Sequence, residues 1–332
     1  MTQKVFEQKI LVRVDGSKQI GLGHVYNMLT ILQHFKNSKI IIVMDKKKKL
    51  GYNKFRKRGY TVKFFSNFSE LLSIIKKFQP NFIFNDILNT KQSYMQKLKQ
   101  FDCKIINFED RGEGCKIADK VFNPIYFDKN SSKEFFGPKY ACVRDEFRIH
   151  HSGYIRKNVK KVAITFGGTD PTNKTFQVLK TFQRLSAYQI KLNVILGLGY
   201  SKRNEIKSLV NEMTLEGYTI QIIEKSDNIS SFISDCDFVI TSNGRTVFEI
   251  AAMKIPMIAI AVNNRERLHS FVDRTKSGYQ INTTSKNIQI PLIQYIQKMM
   301  IQGNRQRFNK NLKKNDLLKG LPLVIDMINK TN

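Results

Sequence analysis

The stretch "KILVRVDGSKQIGLGHVYNMLTILQHF", Lys9 to Phe35, decides the fold. It opens on an apolar strand-like run, "KILVRVDG" over 9–16, and passes through a turn-prone loop. It then enters a helix predicted over 24–35, in which Val25, Met28, Leu29, Leu32 and Phe35 recur at the helical period. Strand, glycine-bearing loop and helix make one βα unit, with His24 where loop becomes helix.

Working outward, the same alternation continues. "KIIIVMD", "TVKFF", "NFIFND" (81–86), "KIINFED" (104–110) and "KVFN" (120–123) are short buried strands, with "TKQSYMQKLKQF" a helix between two of them. A polar, basic link near "HHSGYIRKNVKK" (150–161) follows, and the pattern starts again. "VAITFGG", "IKLNVILG", "YTIQIIE", "DFVITS" and "PMIAIAV" read as strands; "KRNEIKSLVNEM", "NISSFISDC", "TVFEIAAMK" and "RERLHSFVDRTK" read as helices. Such alternation implies α/β architecture with parallel sheets covered on both faces. At 332 residues the chain exceeds the ~250 at which single cores stop growing. The expectation is two doubly wound, Rossmann-like domains, residues 1–150 and 151–332, facing across a cleft at the carboxyl ends of the strands, where open α/β folds bind ligands.

Composition narrows the function classes. The net charge of +29 favours anionic partners, including nucleotides, phosphosugars and acidic surfaces. The basic residues are spread along the chain, "DKKKKLGYNKFRKR" (45–58) being the one dense cluster, and no nucleic-acid signature accompanies them. Nucleic acid is therefore not expected as a partner, although weak association with anionic surfaces is. The apolar runs fall short of the ~20 residues that span a bilayer, and no signal-peptide core opens the chain. No membrane span and a cytoplasmic location are expected. Cys103, Cys115, Cys142 and Cys236 lack metal-ligand or redox spacing and read as reduced thiols.

Neither a GxGxxG fingerprint with a suitably spaced acid nor a P-loop stands out, which counts against NAD and ATP. Three glycine-bearing turns at strand ends occur instead: "IGLGH" (20–24), "FGGTDP" (166–171) and "SNGRTVFE" (242–249). Gly167 and Gly168 let a backbone approach a ligand, and a helix beginning near Thr172 would aim N–H groups at a diphosphate. The same residues equally read as a tight turn closed by Asp170-Pro171. Thr246 and Glu249 have capping-box spacing, so Glu249 either ties off a helix or accepts hydrogen bonds from a ribose; spacing alone favours the cap. His24 sits where the helix field disfavours imidazolium, while Gly21 and Gly23 open access for a substrate. On the residues alone it is either a loop anchor or a general base, with Asp15 placed to orient it or to serve the reaction itself.

Together "RVDGSKQIGLGH", "GPKYACVRDEF" (137–147), "FGGTDP", "SNGRTVFE" and the asparagine of "VNN" resemble the UDP-2,4-diacetamido-2,4,6-trideoxy-β-L-altropyranose hydrolase family of the pseudaminic acid pathway. The resemblance covers roughly Lys9 to Lys276 and extends to spore-coat polysaccharide nucleotide-sugar enzymes. It implies a GT-B fold, a metal-independent and cofactor-free hydrolysis of a nucleotide sugar, and His24 as the base that activates water. It further implies UDP in the C-terminal half, with Gly167, Gly168, Thr169, Asn243, Gly244, Thr246 and Glu249 at the nucleotide. Arg13, Gly21, Gly23 and Asn264 would face the sugar, and Asp15 would join His24 in catalysis. A monomer is expected. Asn27, Leu88 and Arg265 depart from the family's usual arginine, tyrosine and glutamine, and should alter sugar recognition more than nucleotide recognition. Two further readings stay open: a GT-B glycosyltransferase using the same base on an acceptor hydroxyl, and a non-catalytic nucleotide-sugar binder.

Overall fold

The computed structural model describes residues 8–148, 154–224, 226, 228–285 and 287–331. The chain divides into two compact units, Met1–Cys142 with Lys319–Asn332, and Val143–Leu318.

Unit 1 is built from β1 (Lys9–Val14), α1 (Gly23–Leu32), β2 (Lys39–Asp45), α2 (Tyr52–Arg56), β3 (Thr61–Phe65), α3 (Phe68–Phe78), β4 (Phe82–Asp86), α4 (Gln92–Leu98), β5 (Lys104–Phe108), β6 (Lys120–Asn123) and β7 (Glu134–Phe136). All seven strands are parallel, in the order β3-β2-β1-β4-β5-β6-β7. Each central strand is buried on both faces, which is why it reads as a continuous apolar run and not as alternation. Ile10, Val12 and Val14 pack with Val25, Met28, Leu29 and Leu32 of α1, while Leu11 packs on the other face with Leu71 and Ile75 of α3.

Unit 2 repeats the pattern with β8 (Lys161–Thr165), α5 (Lys174–Arg184), β9 (Lys191–Leu196), α6 (Arg203–Leu215), β10 (Ile220–Glu224), β11 (Phe238–Ser242), α7 (Thr246–Ala252), β12 (Met257–Ile260), α8 (Phe271–Thr275), β13 (Gly278–Ile281), α9 (Gln289–Met300) and α10 (Gln302–Lys313). Its six parallel strands run β10-β9-β8-β11-β12-β13. In both sheets the order reverses beside the first strand, between β1 and β4 and between β8 and β11. Such reversal points open a crevice at the carboxyl ends of the strands.

Several local expectations are corrected. "NISSFISDC" forms only a 3-10 turn at Ser230–Phe232, and "RERLHSFVDRTK" is a 3-10 turn (Glu266–Leu268) followed by α8. The break falls at His269, whose backbone carbonyl accepts hydrogen bonds from the side chains of Asn243 and Gln280 and is thereby withdrawn from a helical ladder. Part of the expected interdomain link lies outside the described residues.

The last helix, α11 (Gly320–Asn329), belongs to unit 1, although the sequence reading put residues 151–332 together. Leu321, Val324 and Ile328 complete the core on the α1 side of the first sheet. Gly320 lies so close to Ala141 that a Cβ there would come within 2.2 Å of the Ala141 carbonyl oxygen. Residues 143–148, placed in the first half from sequence, fall in the second unit. Leu321→Ala is expected to destabilise unit 1 by about 2–5 kcal/mol in urea unfolding followed by circular dichroism. A loss below ~0.5 kcal/mol, the scale of a surface substitution, would show that α11 is not part of that core.

Candidate active site

Two clusters of site residues form, each at the reversal point of its own sheet. In unit 1, β1 ends at Val14 and the chain turns through Gly21, whose φ of 78° suits glycine, into α1 at Gly23. His24 is the second residue of α1 and is 2% exposed. Its Nδ1 meets Oδ1 of Asp86, the last residue of β4, which is fully buried. Since a carboxylate only accepts, Nδ1 donates, and in the neutral ring Nε2 is then the acceptor nitrogen. The other Asp86 oxygen accepts from Asn27 Nδ2 at 2.7 Å, one turn along α1. Asn27, noted from sequence as a departure, therefore helps hold the carboxylate that holds the histidine.

The charge beside His24 differs from the one inferred from sequence. The positive end of the helix field lies at the start of α1, but Asp86 places a carboxylate in direct contact with the ring. Asp15, expected either to orient the ring or to serve the reaction itself, is engaged by Arg13 through paired contacts of 2.5 and 2.9 Å. Lys48 stands 3.6 Å from its second oxygen. Arg13 lies on the other face of the sheet, its guanidinium 4.7 Å from the Phe65 ring centroid. Leu88 follows β4 in the left-handed region, at φ 71°.

In unit 2 the turns after β8 and β11 hold the remaining residues. Gly167 has φ 68° and Asp170 has φ 40°. The turn after β9 presses against it: a Cβ on Gly197 would lie 2.3 Å from the Gly167 oxygen, and Gly199 N–H donates to Gly168 O at 2.8 Å. Thr169 is buried beside them. Helix α5 starts at Lys174, later than expected, and its first N–H groups are taken. Asp170 accepts from Lys174 N–H and Thr175 N–H at 2.8 Å each and from the Thr175 hydroxyl at 2.7 Å. Asp170 thus closes the turn of "FGGTDP", and those two amides are not open to a diphosphate.

The capping box expected at Thr246–Glu249 is not made either: Arg245 is the N-cap of α7 and no side chain caps it. Glu249, 8% exposed, faces Arg144 instead, which donates from Nε to Oε1 at 2.6 Å and from Nη2 to Oε2 at 3.1 Å. Arg144 also reaches Glu146 Oε1 at 2.6 Å, and Glu146 Oε2 accepts Ser230 N–H. A carboxylate oriented in this way can accept further hydrogen bonds on its remaining lone pairs.

Asn243 is fully buried and clamps the loop after β12, donating through Nδ2 to the carbonyls of Glu266 and His269 at 2.7 Å each. His269 Nδ1 lies 2.9 Å from the Asn243 carbonyl, and burial holds its pKa down to about 4, so the ring is neutral and donates. Gly244 fits because Glu266 lies beside it; a Cβ there would stand 3.0 Å from Glu266 Oε1. Asn264 is exposed, its Oδ1 3.5 Å from Arg267 Nη1, with Arg265 next to it. Sequence reading missed Asp86, Arg144, Glu266 and His269. The polar pair Asn85-Asp86 ending the apolar "FIF" was the available signal for the first, and the quoted "ACVRDEF" motif for the second. Among the described residues, no group of three His, Cys, Asp or Glu side chains is placed to hold a metal ion.

Residues 162–322 match the Glycosyltransferase family 28 C-terminal domain. An uncharacterized protein of Methanocaldococcus jannaschii is 29% identical over 276 residues, covering 78% of this chain and 57% of its own length. The chain thus spans little more than half of that relative. The UDP-2,4-diacetamido-2,4,6-trideoxy-β-L-altropyranose hydrolase of Campylobacter jejuni is 24% identical over 289 residues, 82% of this chain and 98% of its own, so the resemblance read from the motifs extends over most of the chain. Among solved structures, Acinetobacter baumannii MurG superposes with a TM-score of 0.66 at 12% identity, over 97% of this chain and 99% of its own. Anabaena HepE, crystallised with UDP-glucose, superposes at 0.60 with 12% identity, over 97% and 100%. The fold is that of GT-B glycosyltransferases, as two parallel-sheet α/β units.

Burial raises the pKa of the partly buried Glu266 from its ordinary 4.5 to about 7, against the lowering effects of the Val262 amide and Arg265. A carboxyl raised on folding contributes stability that is fully present below about 4.5 and is lost as pH climbs through about 7. Glu266→Gln cannot titrate, so it should melt with the parent near about pH 5 and ~2–4 °C above it near about pH 8. A difference that stays constant between those two pH values would contradict this.

Proposed function

We propose that the protein hydrolyses a UDP-sugar, holding the nucleotide with unit 2 and activating water with His24 of unit 1. The observation that carries this reading is the buried contact between Asp86 and His24 Nδ1 at the reversal point of the first sheet. It sets the tautomer so that Nε2 is the nitrogen able to take a proton. In the proposed step, water attacks C1 of the sugar as His24 Nε2 removes its proton, and the bond from C1 to the diphosphate oxygen breaks, releasing UDP. Asp86 steadies the imidazolium that forms, and Asn27 keeps Asp86 in place. Asp15 and Arg13 support the neighbouring strand end as an ion pair, and Gly21 and Gly23 keep the backbone before His24 slim.

The nucleotide is assigned to the turns at the second reversal point: Gly167, Gly168, Thr169, Asn243, Gly244 and Thr246, with Glu249 accepting from the ribose and Asn264 contacting the sugar. Arg144 supports this by fixing the Glu249 carboxylate before a ligand arrives. The two α5 amides held by Asp170 are not part of the diphosphate seat. Further support comes from the named activity of the Campylobacter relative and from the UDP-glucose bound in the HepE structure. The family 28 domain match favours a second reading, in which the same base deprotonates a sugar hydroxyl.

The test is a panel of UDP-, GDP- and CMP-sugars incubated with the protein in EDTA, with nucleotide release followed by NMR. UDP release in water alone is expected. His24→Asn and Asp86→Asn should each lower turnover by about 10²-fold or more while UDP affinity stays within about twofold in calorimetry. Near-parental turnover in both variants would refute the base assignment. Release that needs an added sugar acceptor would establish the transferase reading.

A further inference from the structure

Unit 1 contains a cavity of about 250 Å³ on the face of its sheet opposite α1 and His24. Its walls are Phe65, Phe68, Leu71, Ile87 and the ring of Tyr94, and it is overwhelmingly apolar. Phe65 ends β3, Leu71 is on α3 and Tyr94 on α4, so the cavity lies at the carboxyl ends of the strands on the face opposite α1. The end of β4 serves both faces. Asp86 turns toward His24, while its neighbour Asn85 accepts from the Tyr94 hydroxyl at 2.9 Å and Ile87 lines the cavity.

The cavity is built rather than incidental. Ile87, Asn89, Thr90 and Lys91, from one loop, contribute to its lining. That loop is pinned by Asp110, which accepts from Thr90 N–H at 2.9 Å and the Thr90 hydroxyl at 2.6 Å, and by Asn89 Oδ1, which accepts from Arg111 N–H at 3.0 Å. Gly112 makes the pinning feasible, since a Cβ there would lie 2.2 Å from the Thr90 oxygen. Within this loop Leu88 keeps a left-handed backbone at φ 71°, a conformation unfavourable for a residue with a side chain that persists where the surroundings dictate it.

Two cations contribute to the lining: Arg13, whose charge is balanced by its paired contact with Asp15, and the exposed Lys91, which is the one that faces no acid of the lining. An apolar hollow that would hold more than the benzene accepted by a ~150 Å³ cavity, lined at one point by a solvent-exposed ammonium, matches a hydrocarbon chain joined to an anion. We propose that this cavity is a binding site for an anionic amphiphile, taking its hydrocarbon part between Phe65, Phe68, Leu71, Ile87 and Tyr94 and its anionic head near Lys91. The site stands independently of the hydrolase reading, because it needs neither His24 nor the nucleotide.

The chain has no tryptophan, so Phe68→Trp introduces a single fluorescent reporter at the wall of the cavity. Octyl phosphate should produce a saturable, one-to-one change in its emission, with octylammonium at least about tenfold weaker and inorganic phosphate giving no change at the same concentrations. Calorimetry of the unsubstituted protein should give the same stoichiometry. Lys91→Glu, an exposed substitution compatible with folding, should weaken octyl phosphate about tenfold in the reporter background and leave thermal melting in place. Ile87→Phe, which occupies part of the hollow, should weaken it as well. No saturable signal, equal binding of octylammonium, a full response to inorganic phosphate, or indifference to both Lys91→Glu and Ile87→Phe would each overturn the proposal. Because the assay contains no nucleotide sugar, a failure here leaves the hydrolase reading standing, and the converse also holds.

Discussion

The carboxylate of Asp86, fully buried at the end of β4, is the constraint around which the first unit's site is organised. A buried charge is costly unless its lone pairs are filled. Here His24 and Asn27, about one turn apart on α1, each donate to one of its oxygens. The consequence runs both ways: α1 is fixed against the strand, and the imidazole is fixed in one tautomer and one orientation. Parallel strands make this possible because every strand delivers its last residue to the same edge, and the order reversal between β1 and β4 leaves that edge open.

Unit 2 solves a related problem with a different pairing. The turn after β8 is closed by Asp170, which spends its lone pairs on the first turn of α5. The acid of α7 is instead held by an arginine brought from outside the sheet, Arg144. Asn243, Glu266 and His269 then bind the turn after β11 to the loop after β12. One strand end is thus internally satisfied, while the other keeps a carboxylate oriented by a cation, which is the arrangement suited to accepting from a ligand hydroxyl.

What could be read from the sequence follows from the range of each interaction. Strands buried on both faces are unbroken apolar runs, so β1, β2, β4, β8, β11 and β12 were plain, and the glycine turns marked the open edge. The three-residue β7 and the short, partly exposed β13 carry too little pattern to register. Helix α11 is amphipathic in its own right, but which unit it joins depends on packing against residues nearly two hundred positions earlier. His24 was visible from its turn, whereas Asp86 lies 62 residues away and Arg144 lies 105 from Glu249, separations at which one sequence offers no spacing rule. The Asp170 cap escaped because it reaches amides four and five residues on, outside the capping-box spacing. At Thr246–Glu249 the spacing was present and misleading, since a long-range ion pair outcompeted the local cap.

In the proposed site Asp86 holds His24 as the Nδ1–H tautomer and so presents Nε2 as the proton acceptor. Long-range ¹⁵N–¹H correlation NMR, at a pH where the imidazole is neutral, reads this directly, with His24→Asn identifying the signal among the five histidines. A protonated Nδ1 and an unprotonated Nε2 are expected in the parent, with the pattern lost or reversed in Asp86→Asn. A parent spectrum showing Nε2–H and a bare Nδ1, unchanged by Asp86→Asn, would contradict the account.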